Sequence, residues 1–215
     1  MAVIDTLRAT TTITTILERG AMAVRPVADL EAAYAHKALD SDILLGGERK
    51  NQPPEGFDGG NSPYDWPQDR VRGRRVTYTT TNGTQAIERV REVPRLVLAA
   101  LINAWACADF LRQLQQPTLI VASGSRGAPA LEDVLAAGAV ATHWPRADRT
   151  DAAEIACAVF ERDRTRLLEA LRHSDHGRDL VQLGLEADLA FAARLDVSTV
   201  VPMLDGDGWL RPVAR

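Results

Sequence analysis

Four carboxylates and three arginines stand in turns that follow short apolar runs, among hydroxyl- and glycine-rich neighbours. The carboxylates are Asp5, Glu48 and the adjacent pair Glu132-Asp133, and the arginines are Arg8, Arg49 and Arg126. The neighbouring turns are Thr79-Thr80-Thr81-Asn82-Gly83-Thr84 and Ser123-Gly124-Ser125-Arg126-Gly127. Such turns, placed before helices, expose backbone N–H groups that with the helix dipole bind an anion. Arginine forks grip phosphate, carboxylate or sulfonate through paired hydrogen bonds. Carboxylates set among hydroxyls and amides suit a hard cation such as Mg²⁺. Together these parts favour phosphoryl chemistry on a small, multiply anionic substrate. Each alone has a plainer reading: Thr-Asn-Gly-Thr caps a helix, and Glu132 and Asp133 complement the dipole of the helix they open. Successive helical residues lie about 100° apart, so only one of that pair is expected to reach a cation or a water.

The elements that must position these residues repeat one theme of apolar strand, polar turn and amphipathic helix. Strands are expected at 2–4, 22–27, 42–45, 75–78, 96–100 and 118–122, and helices at 9–19, 29–39, 85–91, 103–115 and 130–141. Residues 151–194 show only helical periodicity, with turns near Gly177 and Gly184, and 197–204 reads as a last strand. Alternation over this length predicts one α/β domain spanning 1–215, layered α/β/α with a largely parallel or mixed central sheet. Ligands of such sheets bind beyond the carboxyl ends of the strands, where the carboxylates and turns fall. Five threonines among residues 10–15 suit hydroxyl chemistry better than helix propensity. From Gly46 to Trp66 five glycines and three prolines replace any apolar period. A structureless stretch of that length is often functional, and this one carries Glu48, Arg49, Lys50, Asp58, Asn61 and Ser62.

Composition narrows the class. The 25 basic residues are 23 arginines and two lysines, and with 29 acidic residues the formal net charge is −4. An acidic chain is not expected to bind nucleic acid or a membrane surface. No apolar run is long enough to span a membrane. Cys107 and Cys157 read as small buried hydrophobes, and His173 and His176 as a surface helix turn. No phosphate-binding P-loop, nucleophile-elbow serine or full dinucleotide fingerprint is present. A haloacid-dehalogenase-type phosphatase places a second Asp two residues after the first, where this chain has Leu7. The first apolar run follows Met1 directly, an abrupt start expected where an upstream strand or tail is missing.

Taken together the motifs resemble one family. Val3-Ile4-Asp5-Thr6-Leu7-Arg8-Ala9-Thr10-Thr11-Thr12 is similar to the opening signature of the 2-phosphosulfolactate phosphatases. Gly47-Glu48-Arg49 with Gly56-Phe57-Asp58-Gly59-Gly60-Asn61-Ser62-Pro63 resembles the second motif, Thr79 to Thr84 the third, and Ser123-Gly124 with Glu132-Asp133 the fourth. The tail resembles the family through Gly177 to Leu180, Gly184 to Asp188 and Val200-Val201-Pro202. The resemblance implies an α/β fold of its own and a Mg²⁺-dependent acid phosphatase. Such an enzyme converts 2-phospho-3-sulfolactate to sulfolactate and phosphate, a step toward coenzyme M, and is expected to be a cytoplasmic homodimer. The family segment that precedes the first strand is nearly absent here.

On this basis Asp5, Glu48 and Glu132 are the expected Mg²⁺ ligands. Asp5, Glu132 and Asp133 are the catalytic candidates, with Glu132 or Asp133 orienting the attacking water. Arg8, Arg49 and Arg126 are expected to bind the substrate's anions, and Thr81, Asn82, Gly83 and Ser123 to add neutral donors. Asn61 and Ser62 are expected to close the long loop over the ligand. Asp5 acting as a nucleophile stays an open alternative to direct water attack. The alternative from another class is a non-hydrolytic binding protein for a phosphorylated or sulfonated acid. Carboxylates beside its anion would repel the ligand.

Overall fold

Strand β1 (Ala2–Ile4) divides its side chains between two helical layers. In a computed structural model, which describes residues 1–213, Ala2 and Ile4 enter one core and Val3 the other. Strand β5 (Val97–Ala99) does the same: Val97 and Ala99 join Ala2 and Ile4, and Leu98 joins Val3. A period of two with both faces apolar is what a strand covered on both sides requires. The sheet is the middle layer of the expected α/β/α architecture. The last two residues of the stretch read as 1–215 lie outside the described residues.

On the Val3 side, α1 (Ala9–Glu18) and α4 (Gly83–Arg89) supply Ile13, Ile16, Leu17 and Ile87. On the other side lie α5 (Ala104–Gln113), α6 (Leu131–Ala141) and four further helices, α7 (Asp151–Asp163), α8 (Leu167–His173), α9 (Asp175–Gln182) and α10 (Glu186–Ala192). Helix α2 (Leu30–Leu39) packs Ala33 on Val27 and Leu45, and α3 (Gln68–Val71) contributes Val71. The break between α8 and α9 falls at Ser174, not at the predicted Gly177. The Ser174 hydroxyl accepts the Gly177 N–H at 3.0 Å and caps α9. Gly177 lies inside that helix, at a position only glycine fits, since a Cβ there would sit 1.8 Å from the Leu171 carbonyl oxygen.

The remaining strands are β2 (Ala23–Pro26), β3 (Leu44–Gly47), β4 (Arg75–Thr79), β6 (Ile120–Ala122), β7 (Pro202–Leu204) and β8 (Leu210–Pro212). Their order is β3-β4-β2-β8-β7-β5-β1-β6. The sheet is mixed: β3-β4-β2 and β5-β1-β6 are parallel trios, joined through the antiparallel β8–β7 pair. Strand β8 is not among the strands expected from sequence, because only Trp209 and Leu210 precede Arg211 and Pro212 after the Asp205–Gly208 turn. The last predicted strand shortens to Pro202–Leu204. Ladder by ladder the two trios run in opposite senses, yet their carboxyl ends meet where Gly83, after β4, lies against Asp5, after β1.

The long loop is less free than its composition implied. Pro63–Asp65 forms a 3-10 turn, and Trp66 is fully buried. Its ring fills space that a Cβ would claim at Gly46 (2.5 Å) or Gly59 (2.8 Å), and its indole N–H donates to the Gly60 carbonyl at 3.0 Å. The glycines of this loop therefore make room for a tryptophan that pins it to the core. Cys107 and Cys157 are buried free thiols, as the sequence implied.

Candidate active site

The turn between β1 and α1 is built by hydroxyls. Thr10 Oγ1 donates to the Asp5 carbonyl at 2.9 Å and accepts the Asp5 N–H at 3.1 Å. Thr11 Oγ1 donates to the Thr6 carbonyl at 2.8 Å, and Thr14 and Thr15 bond back to Thr10 and Thr11 at 2.7 and 2.8 Å. All five threonines are buried, so these bonds satisfy hydroxyls that water cannot reach. The Asp5 carboxylate then lies across the α1 N-terminus and accepts the Ala9 N–H on Oδ1 at 3.3 Å.

Glu48 comes from β3. Gly47, at φ 128°, has no space for a side chain, since a Cβ would lie 1.9 Å from the Thr79 carbonyl oxygen. That close approach of β3 to β4 delivers Glu48 to the turn after β4, where Oε1 accepts the Thr81 N–H at 2.9 Å. Its Oε2 accepts the Asn51 N–H at 2.9 Å. The Thr-rich turn also caps α4, because Thr80 and Thr84 exchange backbone N–H to hydroxyl bonds at 2.9 and 3.1 Å. Gly83, the first residue of α4, lies so close to Asp5 that a Cβ would be 2.5 Å from Oδ2. This contact brings the β3–β4 and β1 strand ends together.

The structure separates Glu132 from Asp133. Asp133 accepts from the Thr6 N–H on Oδ1 at 2.8 Å, and on Oδ2 from the Ser123 hydroxyl at 3.1 Å and the Gly124 N–H at 3.0 Å. It clamps two turns together and holds Ser123. Glu132 is equally buried, and its Oε1 faces His176 Nδ1 at 3.8 Å. His176 is therefore not the surface residue expected from sequence: its side chain is 16% exposed, whereas His173 is exposed. A cavity of about 280 Å³ beside them is lined by Glu132, His176, Ser125, Arg126 and Asp179.

The three arginines differ in setting. Arg8 is 3% exposed. Its Nη1 donates to Asp188 at 2.7 Å, and its Nη2 approaches the Asn51 carbonyl oxygen at 3.3 Å and Oδ1 at 3.5 Å. Its Nε is buried without a partner. Half-buried Arg49 donates to the Glu48 carbonyl at 2.7 Å and to Thr79 Oγ1 at 2.9 Å, bracing the two strand ends. Arg126 is 79% exposed and paired with Asp179 at 2.7 Å, so it stands at the cavity rim. Asn82 is half-buried and Thr81 exposed at the same edge.

Asn61 and Ser62 are fastened to the scaffold. The Asn61 carbonyl accepts from Thr12 at 2.8 Å, and its Oδ1 accepts the Tyr78 hydroxyl proton at 2.7 Å. The Ser62 hydroxyl donates to Asp188 Oδ1 at 2.6 Å. Asp188, Asn51 and His176 are thus site residues that the motifs did not assign. The signal for Asp188 was its place in the Gly184 to Asp188 segment; nothing local singled out Asn51, and the pairing of His176 with His173 pointed to the surface.

Burial and like charge dominate the electrostatics. Burial, with the Glu132 and Glu48 charges added, raises Asp5 to about 7, against the opposing Ala9 N–H and Arg8. Burial and the Asp5 charge push Asp133 well above the usual carboxylate range, against its N–H donors. Burial also lowers His176, against Glu132, and so favours the neutral imidazole. Among the described residues, no three His, Cys, Asp or Glu side chains already enclose a metal position. The donor chemistry nonetheless fits a hard divalent cation. Asp5, Glu48 and Glu132 are buried oxygen donors whose mutual repulsion a cation relieves. Among the described residues, no helix is long and apolar enough to cross a membrane.

Comparison with known proteins places this site in a family. A family model described as 2-phosphosulpholactate phosphatase matches residues 1–207. A relative from Gloeobacter violaceus is 41% identical over 210 residues, covering 96% of this chain and 89% of its own. One from Symbiobacterium thermophilum is 41% identical over 207 residues, with 94% and 89% covered. A third, from Thermotoga petrophila, is 40% identical over 202 residues, with 94% and 87% covered. All three carry the name probable 2-phosphosulfolactate phosphatase.

Proposed function

Because the chain belongs to the 2-phosphosulpholactate phosphatase family, we propose that it is a phosphoric monoester hydrolase cleaving 2-phospho-3-sulfolactate to 3-sulfolactate and phosphate. Arg8 carries this reading. Its buried guanidinium, at the N-terminus of α1, keeps an Nε without a hydrogen-bond partner, a donor that a phosphoryl oxygen could use. An unpaired buried donor costs about 1–3 kcal/mol, a cost removed when a phosphoryl oxygen accepts from Nε.

Asp5, Glu48 and Glu132 would hold Mg²⁺, which when bound would neutralise charge on the phosphoryl oxygens. The chain's own residues supply the rest. Arg8 orients the phosphoryl group, and Ala9 N–H and the α1 dipole add positive field where its charge grows. Asp133 is committed to the turns that carry Thr6, Ser123 and Gly124, so it positions the site. Glu132, which faces His176, is the carboxylate free of backbone clamps, so it either completes the metal shell or orients the attacking water and takes its proton. As water adds to phosphorus, the bond to the 2-oxygen breaks and that oxygen takes up a proton. An attack by Asp5 Oδ2 would use the same geometry, and trapping a phosphoryl group on Asp5 separates the two routes.

The family resemblance extends this proposal to a cytoplasmic homodimer and to a step toward coenzyme M in organisms that make it. The test is phosphate release from a panel of phosphorylated 2-hydroxy acids, with Mg²⁺ or with EDTA. Release is expected to be fastest from 2-phospho-3-sulfolactate and to stop with EDTA. No release from any substrate refutes the hydrolase, and release indifferent to EDTA refutes the metal.

A further inference from the structure

We propose that Asp188, kept in place by Ser62, is a positioning residue that presents the Nε/Nη2 edge of Arg8 to a tetrahedral oxyanion. The proposal rests on the phosphatase reading only in that the oxyanion is the substrate's phosphoryl group. The Arg8 guanidinium is held from one side. Asp188 lies in α10, 180 positions along the chain from Arg8, and both side chains are 3% exposed. A carboxylate facing an arginine ordinarily uses both oxygens in a fork. Here it uses one: Oδ2 takes Nη1 at 2.7 Å, while Oδ1 is occupied by the Ser62 hydroxyl at 2.6 Å. Ser62 holds Oδ1 on its own side, and the carboxylate meets the guanidinium through Oδ2 alone.

The consequence lies on the opposite edge. Nε and Nη2 point the same way from a guanidinium and form its side-on fork, the geometry that matches two phosphate oxygens. In this chain Nε has no acceptor, and Nη2 has only the Asn51 oxygens at 3.3 and 3.5 Å, beyond ordinary N–H···O lengths. The firmly bonded donor is Nη1, on the other edge; the weakly bonded and unbonded donors, Nη2 and Nε, form the fork that matches phosphate. Asn51 meets Nη2 only at these long distances, while its N–H is bound by Glu48 at 2.9 Å and its Oδ1 also lies 3.4 Å from His176 Nε2. A ligand oxygen can replace Asn51 on Arg8 without disturbing the Asp188 anchor. The rotamer entropy of a long arginine is already spent before the ligand arrives, which is what positioning contributes to binding.

The experiment reads inorganic phosphate binding to the full chain by calorimetry, alongside KM and kcat for phosphate release. Asp188→Asn is expected to weaken phosphate binding and raise KM by roughly tenfold to a hundredfold, the scale set by losing an orienting partner. Ser62→Ala keeps the ion pair and frees Oδ1, so a shift of about threefold in the same direction is expected. It keeps the proposal testable if Asp188→Asn does not fold. In an Arg8→Ala background Asp188→Asn is expected to add nothing, because its effect passes through Arg8. A merely structural role predicts the opposite: lower stability, unchanged phosphate affinity and KM, and an undiminished effect without Arg8. Unchanged phosphate affinity and KM in Asp188→Asn overturns the proposal, as does an undiminished effect without Arg8, a folded wild-type chain that binds no phosphate, or Ser62→Ala with wild-type affinity. The two readings fail separately. Phosphate binding that responds to Asp188 without turnover of any substrate sinks the hydrolase alone, and turnover with unaltered KM in both variants sinks the positioning role alone.

Discussion

Gly83→Ala probes the junction on which the site depends. A methyl group there would stand 2.5 Å from Asp5 Oδ2, 2.6 Å from Ala9 Cβ and 3.1 Å from Asp5 Cβ. Comfortable carbon contacts are about 3.5–4.0 Å, so the N-terminus of α4 must retreat from α1 by about 1 Å, or Asp5 must turn away. Overpacking of this kind costs about 1–3 kcal/mol. Alanine returns about 0.5–1 kcal/mol through helix propensity, since Gly83 opens α4 without a left-handed backbone. The balance is a loss of about 1–2 kcal/mol, and at about 2–4 °C per kcal/mol for a chain of this size Tm falls by about 2–8 °C. Activity suffers more, because displacing a reacting group by about 1 Å costs about 100-fold. Thermal melts and kcat/KM for phosphate release test this beside Gly206→Ala, where no heavy atom lies within 4 Å of the added Cβ and little change is expected. A Gly83→Ala chain with wild-type melting and activity would refute the packing argument. Lower stability with unchanged kcat/KM would instead remove Asp5 from the reaction.

Two further outcomes follow from the same cluster. Asp5 is raised in the fold from 3.8 to about 7, so between those values the folded chain binds more protons than the unfolded one. This group's contribution to stability is then complete below about 4 and lost as pH rises through about 7, at about 1.4 kcal/mol for each pH unit crossed. Urea titrations at pH 5 and 7.5 should show Asp5→Asn flattening that decline, and an unchanged slope would contradict it. Asp133→Ala removes the acceptor from Thr6 N–H, Ser123 hydroxyl and Gly124 N–H. Two backbone donors lose their partner, and at about 1–3 kcal/mol each a loss of roughly 3 kcal/mol is expected. Denaturant melts with a loss under about 1 kcal/mol would show that the clamp is not needed.

The legible part of this protein was local. Strand-end carboxylates, the Thr-rich turns and the strand–turn–helix rhythm are written in consecutive residues, because turn chemistry and hydrophobic period act over a few positions. Asp5, Glu48, Glu132 and Arg8 could be assigned to one edge of the sheet from sequence for that reason. The sequence did not distinguish Glu132 from Asp133. Adjacent in the chain, they part only when Thr6 and Ser123 saturate one of them and His176 faces the other. Arg8 and Arg126 looked alike as strand-end arginines, but one is 3% and the other 79% exposed.

The α/β class, the family motifs and the oxygen- and guanidinium-rich inventory at the strand ends can be read from consecutive residues. How that inventory meets depends on contacts between distant segments. Two parallel trios of opposite sense are joined by a hairpin whose second strand has too few apolar residues to announce itself. Gly83 lets the two strand ends approach, and a partner from α10 returns to Arg8 across 180 residues. The reason is physical: propensity and period are set by near neighbours, whereas burial, and with it the raised Asp5 and the unfilled edge of Arg8, arises when distant segments exclude water together.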